Sequence, residues 1–273
     1  MSRRIHDYVA RGYNSGSEII GQKNREVVSS IRTRFWATDD VIRVIDLGVG
    51  DGAFLEMLSS LPLRLEFTGV DISTAMLDLA HRRVPLTPVV ASAAEAAEHA
   101  PAQAFDLVVV HFILAYVDPA KVLDQARRLL APGGVISLVT STNHAAIPLR
   151  RQIERLFRHS RNPLRRITAA AVDRGMARSH VPEDFEALLP VIRDCGLKLA
   201  NRRSLHFPVV LRDAADAFHR CIEEGWTANV LHAPPIPVGA MVRLARLALK
   251  LFEYPYECVQ VIEVLELEAA GRG

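Results

Sequence analysis

The residues whose types and spacing carry the most chemistry run Val44-Ile45-Asp46-Leu47-Gly48-Val49-Gly50-Asp51-Gly52-Ala53. Three glycines at alternate positions follow a carboxylate that closes a β-branched run. A glycine turn between a first strand and a first helix is where doubly wound sheets bind nucleotides. Read loosely, Gly48, Gly50 and Ala53 satisfy G-x-G-x-x-A, the pattern of a pyrophosphate-binding turn. The charges oppose that reading. A pyrophosphate needs backbone donors and a helix N-terminus free of competing negative charge. Here Asp46 and Asp51 flank the turn, with no basic residue between positions 44 and 63. Two carboxylates suit a ligand that carries an ammonium and a sulfonium and no phosphate.

The elements that must position this turn follow from hydrophobic periodicity. Residues 17–36 place Ile20, Val27, Ile31 and Phe35 at helical spacings. VIRVIDLG (41–48) is a short buried strand ended by glycine, RLEFTGVDIS (64–73) is the next, and PVVAS (88–92) is a third. FDLVVVHFI (105–113) is fully apolar, and VISLVTS (135–141) completes a fifth strand. Between the last two, DPAKVLDQARRLLAPGG has Asp118 as N-cap, Pro119 in its first turn and APGG to close it. Strands alternating with helices imply right-handed crossovers and a parallel sheet covered on both faces. PEDFEALLPVIRDCG reads as a further helix, leading into LKLANRRSLHFPVV. YECVQVIEVLELEA ends the chain as a strand, so the last two strands form an edge hairpin. The expected fold is α/β: a Rossmann-like, doubly wound, mostly parallel seven-stranded sheet with an antiparallel last strand and a helical cap. Residues 1–40 are read as an N-terminal helical arm or lid. Residues 41–273 are read as one domain with cap insertions at about 143–190 and 211–255.

On these residues the chain resembles the class I S-adenosylmethionine-dependent methyltransferases. Their first motif, acidic-x-G-x-G-x-G, is matched by Asp46 through Gly52, with Gly48, Gly50 and Gly52 as its glycines. Their acid at the end of strand two is matched by Asp71, 25 residues after Asp46. The resemblance implies that Asp71 accepts bonds from both ribose hydroxyls and that Ile72 covers one adenine face. Met76, Ala93, His111 and Phe112 join the expected cofactor-binding set. The family often has an acid after strand three, where this chain has Ala91-Ser92-Ala93; Ser92 is the weaker acceptor left there. Upstream, Ala10-Arg11-Gly12-Tyr13-Asn14 is similar to the family's A-x-x-Y-D segment, which implies that Tyr13 closes over the cofactor.

Methyl transfer is an in-line displacement in which an enzyme chiefly holds nucleophile and methyl in near-attack geometry with water excluded. A neutral acceptor, such as a phenol or alcohol, needs a general base; a carboxylate needs none. The candidate bases are His111 at the end of strand four, Tyr116 at the following helix start, and His144 just past strand five. His111-Phe112-Ile113-Leu114 stands where base N-methylases usually carry [DNS]-P-P-[YFW], and the paired glutamates of protein arginine methylation are missing. A small or carrier-bound acceptor is left, with oxygen the expected nucleophile and specialised biosynthesis the setting. Carboxyl methylation, and a non-methylating role such as a cofactor-dependent pericyclase, are the alternatives.

The net charge of +2 hides an asymmetry, since residues 144–181 hold nine arginines against Glu154 and Asp173. IPLRRQIERLFRHS (147–160) places Ile153, Leu156 and Phe157 on one helical face and arginines on others. This reads as an amphipathic lid helix, with a basic side suited to an acidic partner such as an acyl carrier protein. Nucleic acid is disfavoured, because stacking aromatics are sparse there. The chain has no signal-like h-region and three scattered cysteines, so a cytoplasmic protein without metal sites is expected.

Overall fold

The computed structural model describes residues 18–224 and 238–271. Helix α1 (Glu18–Arg34) precedes strand β1 (Val41–Leu47), followed by α2 (Ala53–Ser59), β2 (Arg64–Asp71), α3 (Thr74–Arg83) and β3 (Thr87–Val90). Then come β4 (Phe105–His111), α4 (Pro119–Leu129), β5 (Leu130–Ser141), α5 (Ile147–Gln152), α6 (Pro163–Arg178) and α7 (Leu188–Asp194). The chain continues through β6 (Leu197–Leu211), α8 (Ala214–Phe218), α9 (Val238–Leu249) and β7 (Tyr256–Ala269). The strands form one seven-stranded sheet in the order β3-β2-β1-β4-β5-β7-β6. Strands β1 to β5 pair in parallel, and β7 runs antiparallel to both β5 and β6. The doubly wound sheet expected from the alternating pattern is therefore present, with its late hairpin.

Alternation along β1 divides the core. Ile45 and Leu47 enter one cluster, with Val108, Leu123 and Phe185. Val44 enters the other, with Val27, Phe54, Leu77 and Val139. Because side chains alternate along a strand, Asp46 lies on the same face as Val44. This is the face covered by α1, α2 and α3.

Three boundaries differ from the sequence reading. The segment read as an arm is, over Glu18–Arg34, part of the body: Val27 and Ile31 are buried against Val44, Leu107 and Ile262. Strand β5 starts at Leu130, five residues early, because Leu130 pairs with Phe105 before a register shift and draws APGG into the sheet. The helix expected from Pro182 is confined to Leu188–Asp194. Ahead of it Glu183 is held by Arg150 and Asn143, Asp184 accepts from Ala187 N, and Phe185 is buried, so side-chain tethers replace the first turns.

The two segments expected to cap the catalytic edge meet in a core of their own. Ile153, Phe157 and Ala169 are buried there with Leu251 and Phe252 alongside, and the Phe157 and Phe252 ring centroids are 4.5 Å apart. Gln152 and Glu253 exchange two hydrogen bonds across the join. Helix α5 continues into a wider, π-type turn over Ile153–Arg158. Among the described residues no helix is long and apolar enough to cross a membrane.

Candidate active site

Parallel register brings the chemistry to one edge. Asp46 pairs with Val109 and Leu47 with Val70, so Asp46, Asp71 and His111 stand at the carboxyl ends of three adjacent strands. The sheet order reverses between β1 and β4. At such a switch point the connecting helices leave on opposite faces and open a crevice for a ligand.

The glycine turn is shaped by packing as well as by backbone conformation. Gly52 has φ +78, and a Cβ there would lie 2.7 Å from the Ala80 Cα on α3. Gly48 has φ +96, and its Cβ would meet the Ile113 side chain at 3.0 Å. Both positions therefore require glycine, and the turn is drawn in between α3 and the segment after β4. The Gly48 and Val49 amides both donate to the Val70 carbonyl, at 2.8 and 3.0 Å, fastening the turn to β2.

The acids of this region are in three different states. Asp51 is turned away: its Oδ2 is 3.1 Å from Arg83 Nη2, from the last turn of α3. The acidic turn inferred from residues 44–63 is thus neutralised on one side by a residue outside that window. Asp71 is pinned by two backbone donors, Ser73 N at 2.8 Å and Gly50 N at 3.1 Å. Asp46 is 3% exposed, and no donor among the described residues reaches its carboxylate. Burial pushes it up to about 7, with Lys23 opposing the rise and Asp71 adding to it.

Lys23 is the functional candidate that the sequence reading missed. It is 3% exposed on α1, and burial pushes its ammonium down to about 7 against the attraction of Asp46. Its Nζ lies 3.5 Å from His111 Nδ1 and 5.4 and 5.2 Å from the Phe54 and Phe112 ring centroids. The neighbouring Asn24 is buried, with an Oδ1 that accepts no hydrogen bond among the described residues. The available signal was a lysine three residues after Ile20 and four before Val27, inside the apolar stripe of α1.

His111 is committed to the chain. Its Nε2 is 2.9 Å from Ser137 Oγ and its ring meets Phe54 edge-on, with centroids 4.4 Å apart. When Lys23 is protonated its ammonium can only donate, so in that state Nδ1 accepts from Lys23 and Nε2–H donates to Ser137. Burial first, and Lys23 second, hold His111 well below the usual imidazole range. Next to it Phe112 sits at φ +55, a conformation that side-chain-bearing residues rarely adopt and that marks functional turns.

His144 is exposed in a single helical turn, Asn143–Ala146, directly after β5. That turn is anchored to its surroundings: Tyr256 Oη donates to the Ala145 carbonyl at 2.8 Å, Thr142 N to Val261 O at 3.0 Å and Asn143 N to Pro182 O at 2.9 Å. Tyr116 ends the short turn Ile113–Ala115 after β4. Ser92 caps the next turn through Ala94 N at 3.2 Å, and Ala93 is buried in the core. Ile72 is half-buried beside Asp71, and Met76 is buried on α3. Tyr13 lies outside the described residues, as do Trp226, His232 and the proline-rich stretch 233–237.

Residues 45–138 match a family described as a methyltransferase domain. A trans-aconitate 2-methyltransferase of Methylobacterium radiotolerans is 35% identical over 102 residues, 37% of this chain and 38% of that protein. An uncharacterized methyltransferase of Mycobacterium tuberculosis is 30% identical over 123 residues, 45% of this chain and 49% of that protein. The chain thus spans about two fifths to one half of the curated relatives it matches. Among solved structures, an S-adenosylmethionine-dependent methyltransferase from Geobacter sulfurreducens, in complex with S-adenosyl-L-homocysteine, aligns with TM-score 0.51 and 16% identity over 89% of this chain and 90% of that one. The cyclase SpnF aligns with TM-score 0.55 and 16% identity, over 90% and 81% of the two chains. The glycine turn and both edge acids, Asp46 and Asp71, lie within residues 45–138, the segment that matches a methyltransferase domain.

Proposed function

We propose that the chain transfers a methyl group from S-adenosylmethionine to a small organic acceptor, with oxygen as the nucleophile. The observation that carries this reading is the buried Asp46 carboxylate, with no donor among the described residues, at the switch point between β1 and β4. A buried acid with no partner is costly, and a cationic ligand relieves that cost. The residues present fit the cofactor. Asp46 favours positive charge, Asp71 is oriented by two amides to accept from a ribose, and Ile113 closes against Gly48. Ser92 retains a lone pair for the adenine side while capping its own turn.

S-adenosylmethionine, when bound, supplies an electrophilic methyl on a cationic sulfur. The chain's own contribution is to hold the acceptor and exclude water. In this reading the joined cap segments would shield the acceptor, and His144, exposed on its anchored turn directly after β5, would take the proton from a phenol or alcohol. Both nitrogens of His111 are occupied, which leaves it a positioning role. Tyr116, at the end of the Ile113–Ala115 turn, is the other candidate base in this reading.

Carboxyl methylation is the second reading, supported by relatives named for trans-aconitate, a carboxylic acid. In that case no base is needed. The basic segment favours an anionic acceptor or an acidic carrier protein. Arg150, Arg155 and Arg158 are consumed by Glu183, Glu253, Glu154 and Asp173, while Arg151, Arg161, Arg166 and Arg174 are exposed.

The test is formation of S-adenosylhomocysteine with a panel of phenols, alcohols, free acids and acyl-carrier-bound acids. Turnover on the hydroxylated compounds supports the first reading, and turnover confined to acids supports the second. Cofactor binding with no turnover on any class would instead favour a non-methylating role.

A further inference from the structure

Helix α9 is docked by one side only. Met241 is buried, Leu249 packs with Val209, Leu211 and Ala217, and the Arg246 guanidinium lies 4.2 Å from the Phe218 ring centroid. The opposite side divides in two along the axis. Ala240, Leu244 and Leu247 follow at steps of four and three residues and so share a stripe; the two leucines are 51% and 50% exposed. Arg243 and Lys250 are exposed on the adjoining stripe. No acid lies between residues 238 and 252, and Glu253 beyond them is held by Arg155. Helix α6 packs against α9 and repeats the pattern: Ile167 is 62% exposed, with Ala170 one turn on and Arg174 two turns on along the same side. Its one acid, Asp173, is taken by Arg158. Among the described residues no carboxylate comes within ion-pair distance of Arg174, Arg243 or Lys250.

A single exposed leucine is ordinary. An apolar stripe bordered by cations, on a helix without acids, calls for an anionic partner. A second copy of the chain would set cation against cation. A protein partner is usually anchored by aromatic side chains seated in pockets, and no aromatic side chain is exposed on the described part of this face. A bilayer surface needs only what is present: leucines that enter the boundary between headgroups and acyl chains, and cations that meet lipid phosphates. We propose that α9, with α6 beside it, docks the protein on an anionic lipid surface. The docking is peripheral, since the twelve residues of α9 are too few to span a bilayer. The charge distribution favours the same orientation. Residues 144–181, which include α6, hold nine arginines against two acids, so the rest of the chain is net negative and turns away from the lipid.

The experiment is co-sedimentation of the full chain with vesicles of phosphatidylcholine alone and of phosphatidylcholine mixed with phosphatidylglycerol in equal parts. The wild type should sediment with the anionic vesicles at low salt and stay in solution with the neutral ones. Salt at about 1 M, where the Debye length is about 3 Å, should release most of it. Arg243→Gln combined with Lys250→Gln should weaken binding to the anionic vesicles by about 10- to 30-fold, from about five-fold per charge. Leu244→Ser combined with Leu247→Ser should weaken it by at least about 10-fold, through lost apolar burial. All four side chains are exposed or half-exposed, so both double variants should unfold at the wild-type temperature.

Wild type that stays in solution with the anionic vesicles at low salt would overturn the proposal, as would equal binding to both vesicle types. So would binding that survives both pairs of substitutions. A lipid-free dimer that the leucine variant breaks would assign the face to a second copy instead. Binding of an acidic carrier protein without any binding to vesicles would assign it to a protein partner. If a variant does not fold, the wild-type series over lipid charge and salt decides by itself.

Discussion

Lys23 Nζ lies 3.5 Å from His111 Nδ1, joining the first helix to the end of the fourth strand across 88 residues of chain. With Lys23 protonated the contact selects the Nε2–H form of the imidazole, with Ser137 as acceptor. In the folded chain His111 is held well below its ordinary value of 6.5 by burial and by Lys23. Below that pH the unfolded chain binds a proton that the folded chain does not, so stability falls as pH drops. Asp46, raised to about 7, acts in the opposite direction over the same range, so the His111 contribution is read as a difference: between pH 7 and pH 5 in urea unfolding, the change in stability of the wild type should be less favourable than that of His111→Gln. An equal change in both proteins would contradict the assignment.

Lys23 gives a slope on the alkaline side. Its folded value is lowered to about 7 from 10.5, so between those values the unfolded chain carries more protons and stability rises with pH. Lys23→Met should flatten that rise.

Gly52→Ala places a methyl 2.7 Å from Ala80 Cα at a positive φ. The left-handed penalty and overpacking together should cost about 2–4 kcal/mol. The damage should extend to S-adenosylhomocysteine binding, because the turn must move off α3. Chemical denaturation and titration on one protein preparation would check both.

His144 separates the two acceptor readings. With a phenol or alcohol as acceptor, His144→Ala should lower kcat by about 10²–10⁴-fold while cofactor affinity is unchanged, the range of general-base catalysis. With a carboxylate acceptor, kcat should hold. Tyr256→Phe, which releases the Ala145 carbonyl, should cost about 1 kcal/mol of stability and should lower kcat in the same direction as His144→Ala.

Glu263 tests the late hairpin. It is 2% exposed and accepts from both Arg202 and Ser204. Glu263→Ala leaves Arg202 unpaired; the guanidinium is partly exposed and can rehydrate, so the cost should be about 3 kcal/mol, at the low end for breaking a buried pair. A change well under 1 kcal/mol would show that the β6–β7 pairing carries the hairpin without it.

The alternation of Val44, Ile45, Asp46 and Leu47 was enough to place a carboxylate at the end of a buried strand, because side-chain direction in a strand is local and has period two. The glycines after it were legible for the same reason, as was the α/β order from the alternation of strand and helix patterns. The state of each charge was not legible. Asp51 and Asp46 look equivalent in sequence, yet Arg83 takes one and the other stays buried with no donor among the described residues. Lys23 reads as a surface residue until α1 docks on the sheet. The arginine-rich segment reads as an open basic stripe until Glu183 and Glu253 arrive from outside it. Sequence by itself determined the sheet, the turn and the acids. Tertiary structure decided which of those acids meets a base, because Coulomb interactions and desolvation depend on distances that close only when residues far apart in the chain pack together.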